Sequence, residues 1–180
     1  VVDPGSVSWH PDDGLSAYGA GTRDSTFSNC IVSEGLYVDY ENSGSTGLVA
    51  VGGNGLLERV SYIRNLSAHT ARRNGVLQTQ NTITAYVNNV HYNWADRYST
   101  SYIGTTNNGP AGPVLSAVVG NKYIQGPNAN ITQGDNYGVL FFGDYRAGTD
   151  VLTSDSRLYL SDIGTVGSKM IPYKNLGTFD

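Results

Sequence analysis

The sequence predicts an all-β protein whose chain winds as a solenoid, and three observations lead to this prediction. Short β-type runs flank an Asn four times along the chain, at Asn29, Asn65, Asn89 and Asn121. Residues typical of strands and tight turns are abundant, with 23 Gly and 13 Tyr. No long segment has the apolar spacing of an amphipathic helix. Repeats of this spacing are typical of solenoids, whose open β-face suits a polymeric ligand.

Each block predicts two short strands that meet at its Asn. Because Asn tolerates left-handed backbone and bonds to neighbouring amides, we expect the four Asn residues to stack as a ladder with a structural role. Ser8 upstream and Asp144 and Asp162 downstream extend the same column at comparable steps. The blocks are Thr26–Val32, Ser61–Ser67, Ala85–Tyr92 and Ala117–Ile124.

The intervals between blocks vary, which predicts insertions on some turns, often on the binding face of a repeat fold. The candidate insertions are rich in Gly, Ser, Thr, Asn or Pro and comprise residues 40–55, 98–113 and 126–137. We expect residues 1–163 to form the solenoid and residues 164–180, which are less regular, to form a C-terminal tail or cap.

Composition excludes several classes of partner. The net charge is −4 and the chain has few Lys residues, which argues against nucleic acid. No apolar run approaches about 18 residues, so we expect no membrane partner. Cys30 is the one cysteine, which excludes an intrachain disulfide and predicts a small buried side chain.

The chain starts at Val1 on a strand-like segment, without a basic-then-apolar leader. We therefore expect a processed product or a solenoid truncated at its N-terminus, whose targeting signal lies outside this sequence.

Nucleotide and zinc motifs are absent from the sequence. The three His residues are far apart, and we interpret them as surface or partly packed residues. Two other constellations have candidate chemistry. Asp12-Asp13-Gly14 offers paired carboxylates to a cation such as Ca²⁺, or forms an ordinary polar turn. Arg72 and Arg73 are suited to gripping carboxylates, or belong to a solvated turn.

Six segments in order resemble the pectate lyase family of polysaccharide lyases. Together they cover roughly residues 1 to 127, and beyond residue 127 the likeness fades. Val2–Trp9 resembles V-D-H-x-S-x-S-W, Asp12–Ser16 resembles D-E-x-L-S, Ile31–Leu36 resembles I-I-S-E-G-L, Ile63–Gly75 resembles H-H-N-L-F-A-H-N-x-x-R-N-P, Val87–Trp94 resembles V-N-N-V-I-Y-N-W, and Val119–Pro127 resembles V-x-N-Y-Y-x-P-G-P.

The resemblance implies a right-handed parallel β-helix that cleaves an acidic polysaccharide, a 4-linked polyuronate, by calcium-assisted β-elimination. It implies that Arg73 is the catalytic base and that Asp13 is a calcium ligand, with Asp12 beside it. We also expect Arg72 and Arg64 to bind the substrate. A protein of this family is expected to be secreted.

The sequence also departs from the family pattern. Gly75 stands where the family has Pro after the catalytic Arg, and Ala17 replaces the last Asp of the alternative calcium turn D-G-L-x-D. A second hypothesis is therefore a glycan-binding or depolymerising β-helix on a secreted or virion surface, trimeric if it is a phage tailspike. In that case exposed rings would stack on sugars, the candidates being Tyr37, Tyr40, Tyr98 and Tyr102. A third is a purely architectural β-helix.

Overall fold

The computed structural model describes residues 1–18, 21–36, 46–51, 57–71, 76–78, 82–94, 103–104, 114–127, 137–140, 157–167 and 169–171. The secondary structure in these ranges is entirely β, and all the strands pair in parallel. Over the same ranges, no helix has the length and apolar character needed to cross a bilayer. The prediction of an all-β chain is confirmed.

A six-stranded sheet is built from very short strands of three residues each. Its outer positions alternate with buried ones, as in Val32 and Tyr123, because side chains of a strand point to opposite faces. In spatial order the strands are β1 (Ser6–Ser8), β4 (Ile31–Ser33), β7 (Leu66–Ala68), β10 (Val90–Tyr92), β13 (Lys122–Ile124) and β16 (Gly164–Val166).

A five-stranded sheet precedes the six-stranded sheet along the chain in every repeat. Its strands are longer, and they contribute the largest share of the aromatic core. In chain order they are β3 (Arg23–Ser28), β6 (Leu57–Ile63), β9 (Thr82–Val87), β12 (Val114–Val119) and β15 (Arg157–Ser161).

A four-stranded sheet follows the six-stranded sheet along the chain. A separate two-stranded sheet pairs β14 (Tyr137–Leu140) with β17 (Lys169–Ile171). The four-stranded sheet contains β2 (Asp13–Tyr18), β5 (Thr46–Val51), β8 (Val76–Gln78) and β11 (Ile103–Gly104).

Up to β13 the chain visits the three sheets in a fixed rotation, from the five-stranded to the six-stranded to the four-stranded sheet, and then starts again. After β13 and β16 the two-stranded sheet takes the place of the four-stranded sheet. We call one such passage a round. Each strand pairs with the strand of the next round in the same sheet, which is the pattern that a parallel β-helix requires. β16 adds a strand to the six-stranded sheet within the segment expected to be a tail or cap, and the division at residue 163 stays a prediction.

Aromatic side chains stacked between rounds fill the interior. Phe27, Tyr62 and Tyr86 pair in successive strands, and the Phe27 and Tyr62 rings stack with centroids 4.9 Å apart. From the six-stranded sheet, His91 stacks on Tyr123 at 4.7 Å and on Tyr86 at 5.6 Å. Because each ring covers the next, successive rounds bury one continuous apolar column.

The predicted ladder exists, but its first member is wrong. Asn65, Asn89 and Asn121 are buried and hydrogen-bond to one another: Nδ2 of Asn65 donates to Oδ1 of Asn89, and Nδ2 of Asn89 to Oδ1 of Asn121. The residue in their register on the preceding round is Cys30, whose backbone N–H donates to Oδ1 of Asn65. Asn29 lies one position earlier.

Two other column assignments differ from the structure. Ser8 pairs with Ser33 inside the six-stranded sheet and so is not a member of the column. Asp162 occupies the position of Asn29 and not the ladder position. Cys30 is buried as expected, although it lies in the turn between β3 and β4 and not in a strand. Asp144 lies outside the described residues.

Candidate functional site

The chain turns sharply on both sides of the six-stranded sheet, and most of these turns in the described residues use left-handed backbone. We call the turn that enters this sheet the first corner and the turn that leaves it the second corner. At the first corner the left-handed residues have φ between 53° and 66°, and they are Asn29, Arg64, Asn88, Gly120 and Asp162. At the second corner φ lies between 52° and 72°, at Trp9, Glu34, His69, Asn93 and Gly167.

The predicted calcium ligands lie beyond the second corner, on the path to the four-stranded sheet. Asp13 is the first residue of β2 and is half-buried, whereas Asp12 just before it is exposed. Gly14 follows in tight surroundings, because a Cβ there would lie 2.9 Å from the carbonyl oxygen of Gly47. The start of β2 therefore lies close against the next round, and this packing fixes the backbone that carries the two carboxylates.

Arg72 and Arg73 lie outside the described residues, and so do Tyr37, Tyr40, Tyr98 and Tyr102. Along the chain the two arginines come after β7 and before β8. The segment of Asp12 joins the same two sheets, between β1 and β2. Only β4 separates β1 from β7, so these strands are about 10 Å apart at ordinary strand spacing.

Arg64 lies at the other side of the six-stranded sheet from Asp12 and Asp13. It is a first-corner residue, and its Nε donates to Oδ1 of Asn29 at 2.9 Å. Asn29 in turn donates from Nδ2 to Oδ1 of Asp3 at 2.6 Å. The structure therefore does not bring Arg64 to the corner that holds the two aspartates, and its binding of substrate stays a prediction.

The second corner also holds an ordered set of polar side chains that the sequence analysis did not predict. Nδ2 of Asn93 donates to Nδ1 of His69 at 2.7 Å, which leaves the proton of the neutral ring on Nε2. That nitrogen is 4.0 Å from Oε1 of Glu34. Trp9 lies at the same corner, one round before Glu34, and is 68% exposed. The sequence feature that these second-corner residues share is their position, because each directly follows a three-residue strand.

Behind the corners, the buried polar groups belong to the core. The hydroxyl of Tyr86 lies 2.8 Å from Nε2 of His91, within hydrogen-bond distance, and both side chains are fully buried. Burial lowers the pKa of His91 to about 3, so the ring is neutral at pH 7. Burial likewise raises the pKa values of Tyr62 and Tyr86. The interpretation as surface or partly packed residues is wrong for His91 and also for His10, which is buried too.

In the described part of the chain, few side chains are placed to form a metal site. Across those residues, no group of three or more His, Cys, Asp or Glu side chains converges as a cation site would require. Asp12 and Asp13 are two adjacent carboxylates, and oxygen ligands of this kind are what Ca²⁺ prefers. Their chemistry fits calcium.

Known proteins similar to this chain include fungal pectate lyases. Over 132 residues, 73% of the chain, it is 32% identical to a probable pectate lyase C of Aspergillus terreus, 31% identical to that of Neosartorya fischeri and 33% identical to that of Aspergillus flavus. The match spans 27% of the length of each relative. No family model and no solved structure matches the chain. The chain is thus distantly similar to these fungal proteins, over about a quarter of their length.

Proposed function

We propose that this chain forms part of a right-handed parallel β-helix that cleaves a 4-linked polyuronate by calcium-assisted β-elimination. The observation that supports this most is the similarity to probable pectate lyase C over 73% of the chain. The rotation of the chain through three parallel sheets agrees with it. An acidic polysaccharide is then the partner, and we propose an extracellular location.

The candidate site lies beyond the second corner. The segments that contain Asp12 and Asp13 on one round and Arg72 and Arg73 two rounds later join the same pair of sheets. A polymer running along the stack would therefore pass both segments. Carboxylates and guanidinium groups in segments that one polymer passes are suited to hold a polyanion through a bridging cation and through paired hydrogen bonds.

Calcium, when bound by Asp12 and Asp13, would pair with the sugar carboxylate and make the C5 proton more acidic. Asp13 has the more fixed position because it belongs to β2, and exposed Asp12 beside it adds a second carboxylate. The two residues thereby orient the uronate unit that reacts.

Arg73 is proposed to remove the C5 proton. The electron pair of the C5–H bond forms a double bond between C4 and C5, the bond from C4 to the glycosidic oxygen breaks, and that oxygen takes up a proton from solvent. An arginine normally keeps its own proton, with a pKa of about 12.5 or more. The positive charge of Arg72 next to it favours the neutral form that a base requires.

The test follows the ultraviolet absorbance of the unsaturated product on polygalacturonate, with calcium and then with excess chelator. We expect activity that depends on calcium and that falls at least about 100-fold in Arg73→Ala, the loss typical of a general base. Arg23→Ala is the matched control, because Arg23 is an exposed residue of β3 on the five-stranded sheet.

The Asp12→Asn and Asp13→Asn double variant should require more calcium for the same rate, whereas Asp162→Asn should not. A wild-type protein that gives no product on polygalacturonate or alginate with calcium present would overturn the proposal. So would an Arg73→Ala variant as active as Arg23→Ala.

A further inference from the structure

Two residues of the second corner, Trp9 and Glu34, do not suit the left-handed backbone conformation that they adopt. Left-handed φ is tolerated best by Gly, Asn and Asp, and four of the five first-corner residues belong to these types. The second corner instead places Trp9 at φ 60° and Glu34 at φ 52°. A bulky residue in this region is a genuine outlier, and outliers of this kind cluster at functional sites.

Core packing does not account for these two residues either. Trp9 is 68% exposed, and the side chain of Glu34 is half exposed. An indole ring left in water forgoes the hydrophobic stabilisation that burial would give it. The chain thus bears both a conformational and a hydration cost at Trp9, and a ligand on the ring would offset both.

Trp9, Glu34, His69 and Asn93 form one continuous row, which we call the corner row. The backbone N–H of Trp9 donates to the carbonyl of Glu34 at 3.1 Å, so their rounds are direct neighbours. The strands that lead into the row, β1, β4, β7 and β10, are consecutive in the six-stranded sheet. Side chains of the row therefore follow each other at about 4.8 Å, the spacing of neighbouring strands.

The gap between Glu34 and His69 indicates the chemistry of the ligand. Oε1 of Glu34 and Nε2 of His69 are 4.0 Å apart, which is too long for a direct hydrogen bond. The bond from Asn93 fixes the proton of the neutral ring on Nε2, so one side of the gap donates and the other accepts. A hydroxyl group fits such a gap because it can accept from Nε2 and donate to Oε1, whereas a carboxylate can only accept.

We propose that the corner row is a binding site for a neutral, hydroxyl-bearing sugar unit of a glycan, with the sugar ring stacked on Trp9 and one hydroxyl held between Glu34 and His69. The negative charge of Glu34 disfavours a carboxylated unit at this position. The binding requires neither calcium nor Arg73, so it goes beyond the proposed cleavage. The tetragalacturonate that tests it belongs to the proposed class of substrate.

The test is isothermal titration calorimetry in excess chelator with fully methyl-esterified tetragalacturonate and with the same tetramer de-esterified. We expect the esterified tetramer to bind at least ten times more tightly than the de-esterified one. Trp9→Asn and Glu34→Gln should each weaken binding of the esterified tetramer at least tenfold. Trp9→Asn should fold normally, because Asn tolerates the left-handed backbone of this position better than Trp does.

Asp162→Asn is the matched control, since it changes a left-handed residue of the first corner and should leave the affinity unchanged. Tryptophan fluorescence locates the ligand independently: Trp9 is exposed and Trp94 is fully buried, so bound sugar should protect only Trp9 from acrylamide quenching.

Three outcomes would overturn the inference: no binding of the esterified tetramer, equal affinity in Trp9→Asn and wild type, or tighter binding of the de-esterified tetramer. Binding by an Arg73→Ala variant without lyase activity would leave the inference intact. Failure of the lyase assay alone therefore counts against the proposed cleavage and not against the corner row.

Discussion

The side chain of Asn89 makes four hydrogen bonds with groups on both neighbouring rounds. Its Oδ1 accepts from the backbone N–H and from Nδ2 of Asn65, and its Nδ2 donates to the carbonyl of Tyr62 and to Oδ1 of Asn121. The residue is fully buried, so none of these groups has water as an alternative partner. One amide therefore links its own round to the round before it and to the round after it.

Asn89→Ala should lower the free energy of unfolding by about 2–4 kcal/mol, because it leaves buried donors and acceptors unsatisfied at about 1–3 kcal/mol each. Chemical denaturation of the two proteins measures the difference. The control is Asn88→Gly next to it, an exposed left-handed position that Gly also tolerates. Equal costs for the two variants would show that the ladder contributes no more than an ordinary corner residue.

At the scale of elements, the short strands of the six-stranded sheet are fixed by the corners around them. In β4 and β13 the central side chain, Val32 or Tyr123, is the one that is buried. Position within the corner then decides which residues face solvent. Asn29 and Cys30 are adjacent, yet Asn29 is exposed and Cys30 is buried, because a shift of one residue reverses the side-chain direction.

The approach of β2 to the next round gives a prediction for Gly14. An added Cβ would lie 2.9 Å from the carbonyl oxygen of Gly47 and would clash with Cγ1 of Val32. Gly14→Ala should therefore destabilise the protein by about 1–3 kcal/mol, the usual cost of overpacking. Ser16→Ala on the same strand, at an exposed position, should stay within about 0.5 kcal/mol of wild type. Thermal or urea unfolding compares them, and a stable Gly14→Ala protein would contradict the tight contact.

At the scale of the whole molecule, the interior column joins the sheets into one cooperative structure. Tyr62 of the five-stranded sheet accepts a hydrogen bond from the backbone N–H of Ala17 in the four-stranded sheet at 3.2 Å. Tyr86 of the five-stranded sheet stacks on His91 of the six-stranded sheet. Because the four-, five- and six-stranded sheets all contribute to this column, loss of its packing should be global and not local.

Acid should reveal this coupling through His91, which faces Tyr86 and Tyr123. Its pKa is about 3 in the folded protein and about 6.5 in an unfolded chain. Between these values the unfolded state binds one more proton, so stability falls as the pH falls from about 6.5 towards 3. The loss from this group is about 1.4 kcal/mol per pH unit, and roughly 5 kcal/mol over the whole window.

The measurement is the free energy of unfolding at several pH values for wild type and His91→Gln. We expect the variant to be less stable at pH 7 but to lose less stability on acidification, because Gln does not titrate. Parallel curves for the two proteins would show that His91 does not contribute to the acid response.

The sequence by itself determined the repeating unit of this protein. The tolerance of Asn for left-handed backbone, the period of two in strands and the scarcity of helical patterns are local properties, so the strands and three of the four ladder residues follow from them. The resemblance of Ile63–Gly75 to a lyase motif is also visible in the sequence. That motif brings Arg64 close to Arg72 and Arg73 along the chain, which does not establish that they are close in space.

Only the tertiary structure decided which residues meet. Stacking of rounds replaces Asn29 with Cys30 in the ladder, sends Arg64 to the corner opposite Asp13, and buries His91 beside Tyr86. It also assembles Trp9, Glu34 and His69 into one row from three distant segments. The physical reason is that a parallel sheet aligns residues by the length of each round, and no local pattern states how much chain lies in the turns between strands.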